Sequence, residues 1–204
     1  MRLIGMLDSP YVRRVAVSMK LMGVAFDHEP LSVFRHFDAF AAVNSIVKAP
    51  TLVTDDGVVL MESTLILEHV ERLAAPDRRL TPGGLAAHAA SQRRIGLGLA
   101  ACEKTVSIVY EQNLRPAEKQ YEPWLERVRG QLFAAFDLLE AEISDPGAWL
   151  TADRPMQADV TSAVAWRFTR FVLPDLAWPR AYPKLEAFSA RAEALPAFVS
   201  TPLE

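Results

Sequence analysis

The chain has 204 residues, which at ~100 to 200 residues per domain accommodates one large domain or two small ones. Half of it is apolar and 23% is charged, a balance that allows a sizeable core and excludes disorder and collagen-like repeats. With 22 basic and 25 acidic residues the net charge is -3, and neither half carries the basic excess that nucleic-acid binding requires.

Cys102 is the single cysteine, so no internal disulfide and no cysteine-based metal cage can form, and a reducing compartment fits best. The N-terminus turns polar at Asp8, and no run approaches ~18 consecutive apolar residues. A cytoplasmic protein without a membrane span is expected.

Leu3 to Leu7 is an apolar run stopped by Asp8-Ser9-Pro10, which predicts a buried strand. Val12, Val15, Ala16, Met19 and Met22 then recur at helical spacing, with Gly23 as the C-cap. Arg13 and Arg14, interleaved in that helix, read as a solvated face. Val24 to Leu31 predicts a second strand. Phe34, Phe37, Phe40 and Ala41 predict a short helix with one apolar face, broken at Asn44-Ser45. Thr51–Thr54 and Val58–Met61 flank Asp55-Asp56-Gly57, the signature of an antiparallel hairpin. Ser63 opens a helix carrying Leu65, Ile66, Leu67, Val70 and Leu73. The order is β-α-β-α-β-β-α.

Residues 76–84 concentrate proline, glycine and charge, as an exposed connection does. Helical periods dominate beyond it: Leu85 to about Gln112, a stretch marked by Trp124, Val128, Leu132, Phe136 and Leu139, then Pro155 to Val172, then Lys184 to Glu193. The expected architecture is an α/β domain over residues 1–78, a linker over 79–84, and an all-α bundle over 85–204.

Three spots in the first half carry chemistry. In Asp8-Ser9-Pro10-Tyr11 a strand gives way to a helix, with Ser9 suited to the N-cap and Pro10 to the first helical position. Free N–H groups and the positive end of the dipole there would welcome an anion; Ser9 as a plain cap is the alternative. In Lys48-Ala49-Pro50-Thr51 a proline enters a strand. A cis bond there would let the Ala49 backbone pair with an extended peptide-like ligand. In Met61-Glu62-Ser63-Thr64, a helix start beside a carboxylate suits a ligand end bearing both a carboxylate and an ammonium group. A cap with a solvated Glu beside it is the alternative.

Taken together, Ser9-Pro10-Tyr11-Val12-Arg13-Arg14-Val15, Lys48-Ala49-Pro50-Thr51-Leu52 and Glu62-Ser63 with Ile66 and Leu67 resemble the glutathione S-transferase superfamily, in its serine-type, bacterial-like cytosolic form. The resemblance covers the whole chain. It implies a thioredoxin-like N-terminal domain that binds glutathione as co-substrate and a helical C-terminal domain that supplies most of the pocket for a small hydrophobic electrophile. It further implies that Pro50 is a cis-proline, that Ala49 pairs with the cysteinyl backbone, and that Glu62 and Ser63 receive the γ-glutamyl end. Lys48 and the loop with Phe34, Arg35 and His36 would face the glycyl end. It also implies a homodimer formed mainly by the helices starting at Ser63 and Leu85. Two departures from the family pattern stand out. Asn44-Ser45-Ile46-Val47-Lys48-Ala49-Pro50 lacks the proline and glycine of the commoner Asn-Pro-x-Gly-Lys-Val-Pro. Met156 stands three residues before Asp159, where the family has a capping Ser or Thr, a loss of ~1 kcal/mol.

A thiol with pKa ~8.5 is mostly protonated at neutral pH, so a transferase must stabilise the thiolate. The helix dipole supplies about one pKa unit, and a hydroxyl donor at Ser9 could supply another. Tyr11 is the alternative donor. Without a C-x-x-C, dithiol exchange is excluded, and Ser9 lacks the G-x-S-x-G elbow of a hydrolase nucleophile. His28, His36, His69 and His88 show no ligand spacing, so no metal is expected. Cys102, among Leu99, Ala100 and Val106, reads as a core or interface residue. Tyr11, Tyr110, Trp166 and Phe168 are candidates for lining the electrophile cleft, with ordinary core packing as the alternative. A non-catalytic protein that keeps the fold for binding or regulation is the competing functional reading.

Overall fold

A computed structural model describes residues 1–203. Chain contacts divide it into two units: Met1–Leu80 joined by the chain from Ala194 onward, and Thr81–Glu193.

The first unit follows the expected order: β1 (Arg2–Ile4), α1 (Pro10–Met22), β2 (Asp27–Glu29), α2 (Phe37–Val43), β3 (Thr51–Val53), β4 (Val59–Met61) and α3 (Ser63–Leu73). The sheet runs β2-β1-β3-β4, with β1 parallel to β2 and antiparallel to β3, and β3 antiparallel to β4. Strands are shorter than the apolar runs that signal them. β1 stops at Ile4 because Gly5 takes φ 136°, outside the strand region. Leu3, Val12, Val15, Met19, Leu52, Ile66 and Val70 form one core joining sheet, α1 and α3. Gly23 caps α1 in the left-handed conformation, its N–H donating to the Lys20 and Met19 carbonyls.

Two expectations for this unit are corrected. Only Phe40 of the apolar set before Asn44 is an internal ring; Phe34 and Phe37 are 57% and 56% exposed. The helix starts at Phe37, so Phe34 lies in the preceding loop and cannot share its face. Arg13 and Arg14 are both 1% exposed rather than a solvated face. Each finds acceptors inside: Arg13 Nε donates to the Thr201 carbonyl at 2.8 Å, and Arg14 donates to hydroxyls on α3.

The second unit is helical: α4 (Leu85–Leu114), α5 (Glu122–Glu142), α6 (Gln157–Val172) and α7 (Pro183–Glu193). Val128, Leu132, Phe136, Leu139, Ile108 and Val164 are buried among them, and Thr105 on α4 bonds Thr169 on α6 through their hydroxyls at 2.7 Å. Met156 is the N-cap of α6 and its side chain makes no capping bond; a thioether accepts poorly. Asp159 serves the turn instead, accepting from the Met156 N–H at 2.9 Å and the Leu150 N–H at 2.7 Å. Burial raises the Asp159 pKa above its ordinary value, against the pull of those N–H groups and of Arg191.

The sequence reading runs the helical bundle to the end of the chain, whereas residues from Ala194 onward group with the first unit. There the one-turn helix α8 (Pro196–Val199) packs on α1. Phe198 is buried beneath the Arg13 guanidinium, 5.6 Å from ring centre to carbon, and Lys20 Nζ donates to Ser200 Oγ at 2.8 Å.

Candidate functional site

Sheet register assembles the site. Ile4 pairs with Thr51, and Thr51 with Met61, both antiparallel. The next residues outward, Gly5, Pro50 and Glu62, therefore leave the same end of three adjacent strands, ~4.8 Å apart per step. Gly5 closes the gap. A Cβ there would lie 2.6 Å from a Val12 methyl and 3.1 Å from the Ala49 Cβ, so its bareness lets the first turn of α1 and the Ala49 loop meet. All three predicted spots thus open at one end of the sheet.

Ser9 is the N-cap of α1, with φ -72° and ψ 123°. Its Oγ accepts from the Val12 N–H at 3.4 Å, a long contact by the usual 2.7 to 3.2 Å range. The hydroxyl hydrogen remains available to an anion. Asp8, Ser9 and Tyr11 are all partly exposed.

The Ala49–Pro50 bond is cis. Asn44 holds the loop leading into it: its backbone carbonyl accepts from the Val47 N–H at 2.9 Å, its Oδ1 from the Ile46 N–H at 3.1 Å, and its Nδ2 donates to Thr51 Oγ1 at 2.8 Å. Thr51 in turn donates to the Lys48 carbonyl at 2.8 Å. Sequence reading took Asn44 as a helix breaker and missed this role. Val47, where the commoner pattern has glycine, sits at φ 53°, a conformation a β-branched residue rarely adopts. Lys48 and Phe34 are exposed, Ala49 is half-buried and Pro50 buried.

Glu62, not Ser63, is the N-cap of α3. It takes φ 74°, a backbone conformation that costs a non-glycine residue ~1 to 3 kcal/mol. Its Oε2 accepts from the Thr64 and Leu65 N–H groups at 3.1 and 3.4 Å, leaving Oε1 with the Ser63 hydroxyl at 3.5 Å. Ser63 is 1% exposed and lies at the rim between Glu62 and the open Thr64. Arg14 Nη1 donates to Ser63 Oγ at 2.9 Å and to Thr64 Oγ1 at 3.3 Å, tying α1 to the start of α3.

Across residues 3–78 the chain matches the family description "Glutathione S-transferase, N-terminal domain", and across residues 122–191 "Glutathione S-transferase, C-terminal domain". The chain belongs to the glutathione S-transferase family. It is 27% identical over 181 residues to a maleylacetoacetate isomerase of Pseudomonas aeruginosa, covering 82% of this chain and 81% of that one. It is 25% identical over 171 residues to the uncharacterized GST-like protein YibF of Escherichia coli, covering 84% and 83%. Among solved structures, a glutathione S-transferase from Methylobacterium radiotolerans in complex with glutathione sulfonate superposes with TM-score 0.89 at 26% identity, covering 98% and 93%. A glutathione transferase family member from Pseudomonas fluorescens with bound glutathione gives 0.86 at 28%, covering 100% and 98%.

The remaining sequence candidates lie in the second unit of this family member. Tyr110 on α4 is 44% exposed. Trp166 and Phe168 on α6 are 4% and 5% exposed. The Trp166 ring packs against Phe136, Trp178 and Tyr182, and its Nε1 donates to Glu186 at 3.0 Å. Both rings serve the core of their own unit. Cys102 is buried. Among the described residues no three His, Cys, Asp or Glu side chains cluster as a metal site would need, and no helix is long and apolar enough to cross a membrane.

Proposed function

We propose that this protein is a cytoplasmic glutathione transferase in which Ser9 stabilises the thiolate of bound glutathione for attack on a small hydrophobic electrophile. The observation that carries the reading is convergence: the N-cap of α1, the cis Ala49–Pro50 junction and the start of α3 leave one end of one sheet. Glutathione is an extended tripeptide with a thiol at its centre, a carboxylate and ammonium at one end and a carboxylate at the other. Its thiol meets the Ser9 hydroxyl and the positive end of α1. Its cysteinyl backbone lies along Ala49, which precedes β3 and stands outside the sheet register. Its γ-glutamyl end lies at the start of α3, with Glu62 for the ammonium and Ser63 for the carboxylate. Lys48 and the Phe34 loop take the glycyl end.

Solved relatives at 26% and 28% identity, the first in complex with glutathione sulfonate and the second with bound glutathione, support the co-substrate. The electrophile would meet Tyr11 beside Ser9. A homodimer is part of the proposal, supported separately by exposed Leu65 and Leu73 on α3 and by Leu85, 86% exposed, on α4. Retention on immobilised glutathione together with turnover of a chloro-nitro-aromatic acceptor tests the reading. Binding without turnover would assign a non-catalytic role, and failure to bind would overturn the proposal.

A further inference from the structure

Arg14 is a buried cation whose neighbours determine what it can do. Its Nη1 lies 2.9 Å from Ser63 Oγ and 3.3 Å from Thr64 Oγ1. A guanidinium carries five N–H donors and no acceptor, so both hydroxyl oxygens must accept. Each hydroxyl has one hydrogen left, and a lone pair engaged by a cation directs that hydrogen away from the guanidinium. The Ser63 hydroxyl donates to Glu62 Oε1 at 3.5 Å, the outer limit of a hydrogen bond. Ser63 therefore presents a donor to whatever lies at the rim. Beside it, the Glu62 carboxylate presents only acceptors.

We infer that Arg14 is a positioning residue that fixes the polarity of Ser63, so that the start of α3 sorts a ligand's amino-acid group into carboxylate at Ser63 and ammonium at Glu62. This rests on the glutathione reading above and adds its selectivity: the γ-glutamyl α-carboxylate is recognised as an anion, and a neutral amide in its place is discriminated against. Without Arg14 the Ser63 hydroxyl rotates to donate or accept alike, and the two ends of the zwitterion are no longer told apart. A lysine reaches less far and offers a point charge instead of a planar fork, so it restores the preference only in part.

The test measures dissociation constants of the full-length protein for glutathione and for its γ-glutamyl α-carboxamide. The wild type prefers glutathione by about tenfold or more, the size of one charge-assisted hydrogen bond. Arg14→Met weakens glutathione by about that factor and leaves the carboxamide within about threefold. Ser63→Ala does the same, and the double variant is no worse than either single one, because both act through one hydroxyl. Equal weakening of both ligands by Arg14→Met, or additive effects in the double variant, would overturn the inference and leave a structural arginine. Should Arg14→Met not fold, side-chain nitrogen NMR of the wild type decides: the Arg14 signals shift on adding glutathione and not the carboxamide, and an identical response to both refutes the sorting. A wild type that binds both ligands equally sinks the inference alone; one that binds neither sinks the glutathione reading with it.

Discussion

Replacing Ser9 by alanine separates a structural role from a catalytic one. Its capping contact to the Val12 N–H is 3.4 Å long, so its loss falls at the low end of N-cap substitutions, ~0.5 kcal/mol. In a chain of this length that lowers Tm by about 1 to 2 °C. The same hydroxyl donating to a thiolate makes a charge-assisted bond worth ~1.5 to 3 kcal/mol, which at ~1.4 kcal/mol per unit moves the thiol pKa up by about one to two units. Below that pKa the thiolate fraction, and kcat/KM with it, should fall by about 10 to 100-fold, while the glutathione Kd changes little. The assay is the pH dependence of kcat/KM toward a chloro-nitro-aromatic acceptor, checked by ultraviolet absorbance of the bound thiolate. Activity that survives Ser9→Ala and collapses in Tyr11→Phe would refute the assignment and give the role to Tyr11.

Three further outcomes test the geometry around the site and the helical unit. Val47→Gly should raise Tm by a few degrees, since relief of a β-branched residue at φ 53° outweighs the ~1 kcal/mol entropy penalty of glycine; a lower Tm would show that Val47 packing dominates. Gly5→Ala should destabilise the first unit and weaken glutathione binding, because its Cβ would lie 2.6 Å from a Val12 methyl at φ 136°; wild-type Tm and Kd would count against that close approach. Asp159 titrates above its ordinary 3.8 through burial, so the folded state holds its proton more tightly than the unfolded one. Its contribution to stability is full below pH 3.8 and is lost as pH rises through the raised value. Across that window, Tm of the wild type should fall relative to Asp159→Asn, and parallel curves would contradict the burial argument.

Period and punctuation made the order of elements legible. Val12 to Met22 with Gly23 behind it reads as a helix with its cap, and Asp55-Asp56-Gly57 between two β-rich runs reads as a hairpin; both formed with nearly the expected bounds. Burial was harder to read. Arg13 and Arg14 looked solvated because charge ordinarily marks the outer face, yet α1 is covered on several sides and leaves only Lys20 exposed. The one local hint is that Val12, Val15, Ala16 and Val17 leave no polar stripe wide enough for a free face. The partners that satisfy these arginines, Thr201 for one and Ser63 for the other, lie 188 and 49 residues away, beyond any window over which periodicity operates.

The site shows the same division between local and distant information. Ser9, Pro50 and Ser63 each have an ordinary explanation within their own few residues, as cap, strand entrance and helix start. What joins them is a pairing register, Ile4 to Thr51 to Met61, that no single segment contains. Because one strand spacing separates each neighbour, a slip of one residue in either pairing would turn Pro50 or Glu62 to the opposite phase of the pleat and break up the cluster. Gly5 guards that register: any side chain there would force Val12 and the Ala49 loop apart. The clustering of the proposed site at this end of the sheet therefore depends on a residue with no side chain of its own.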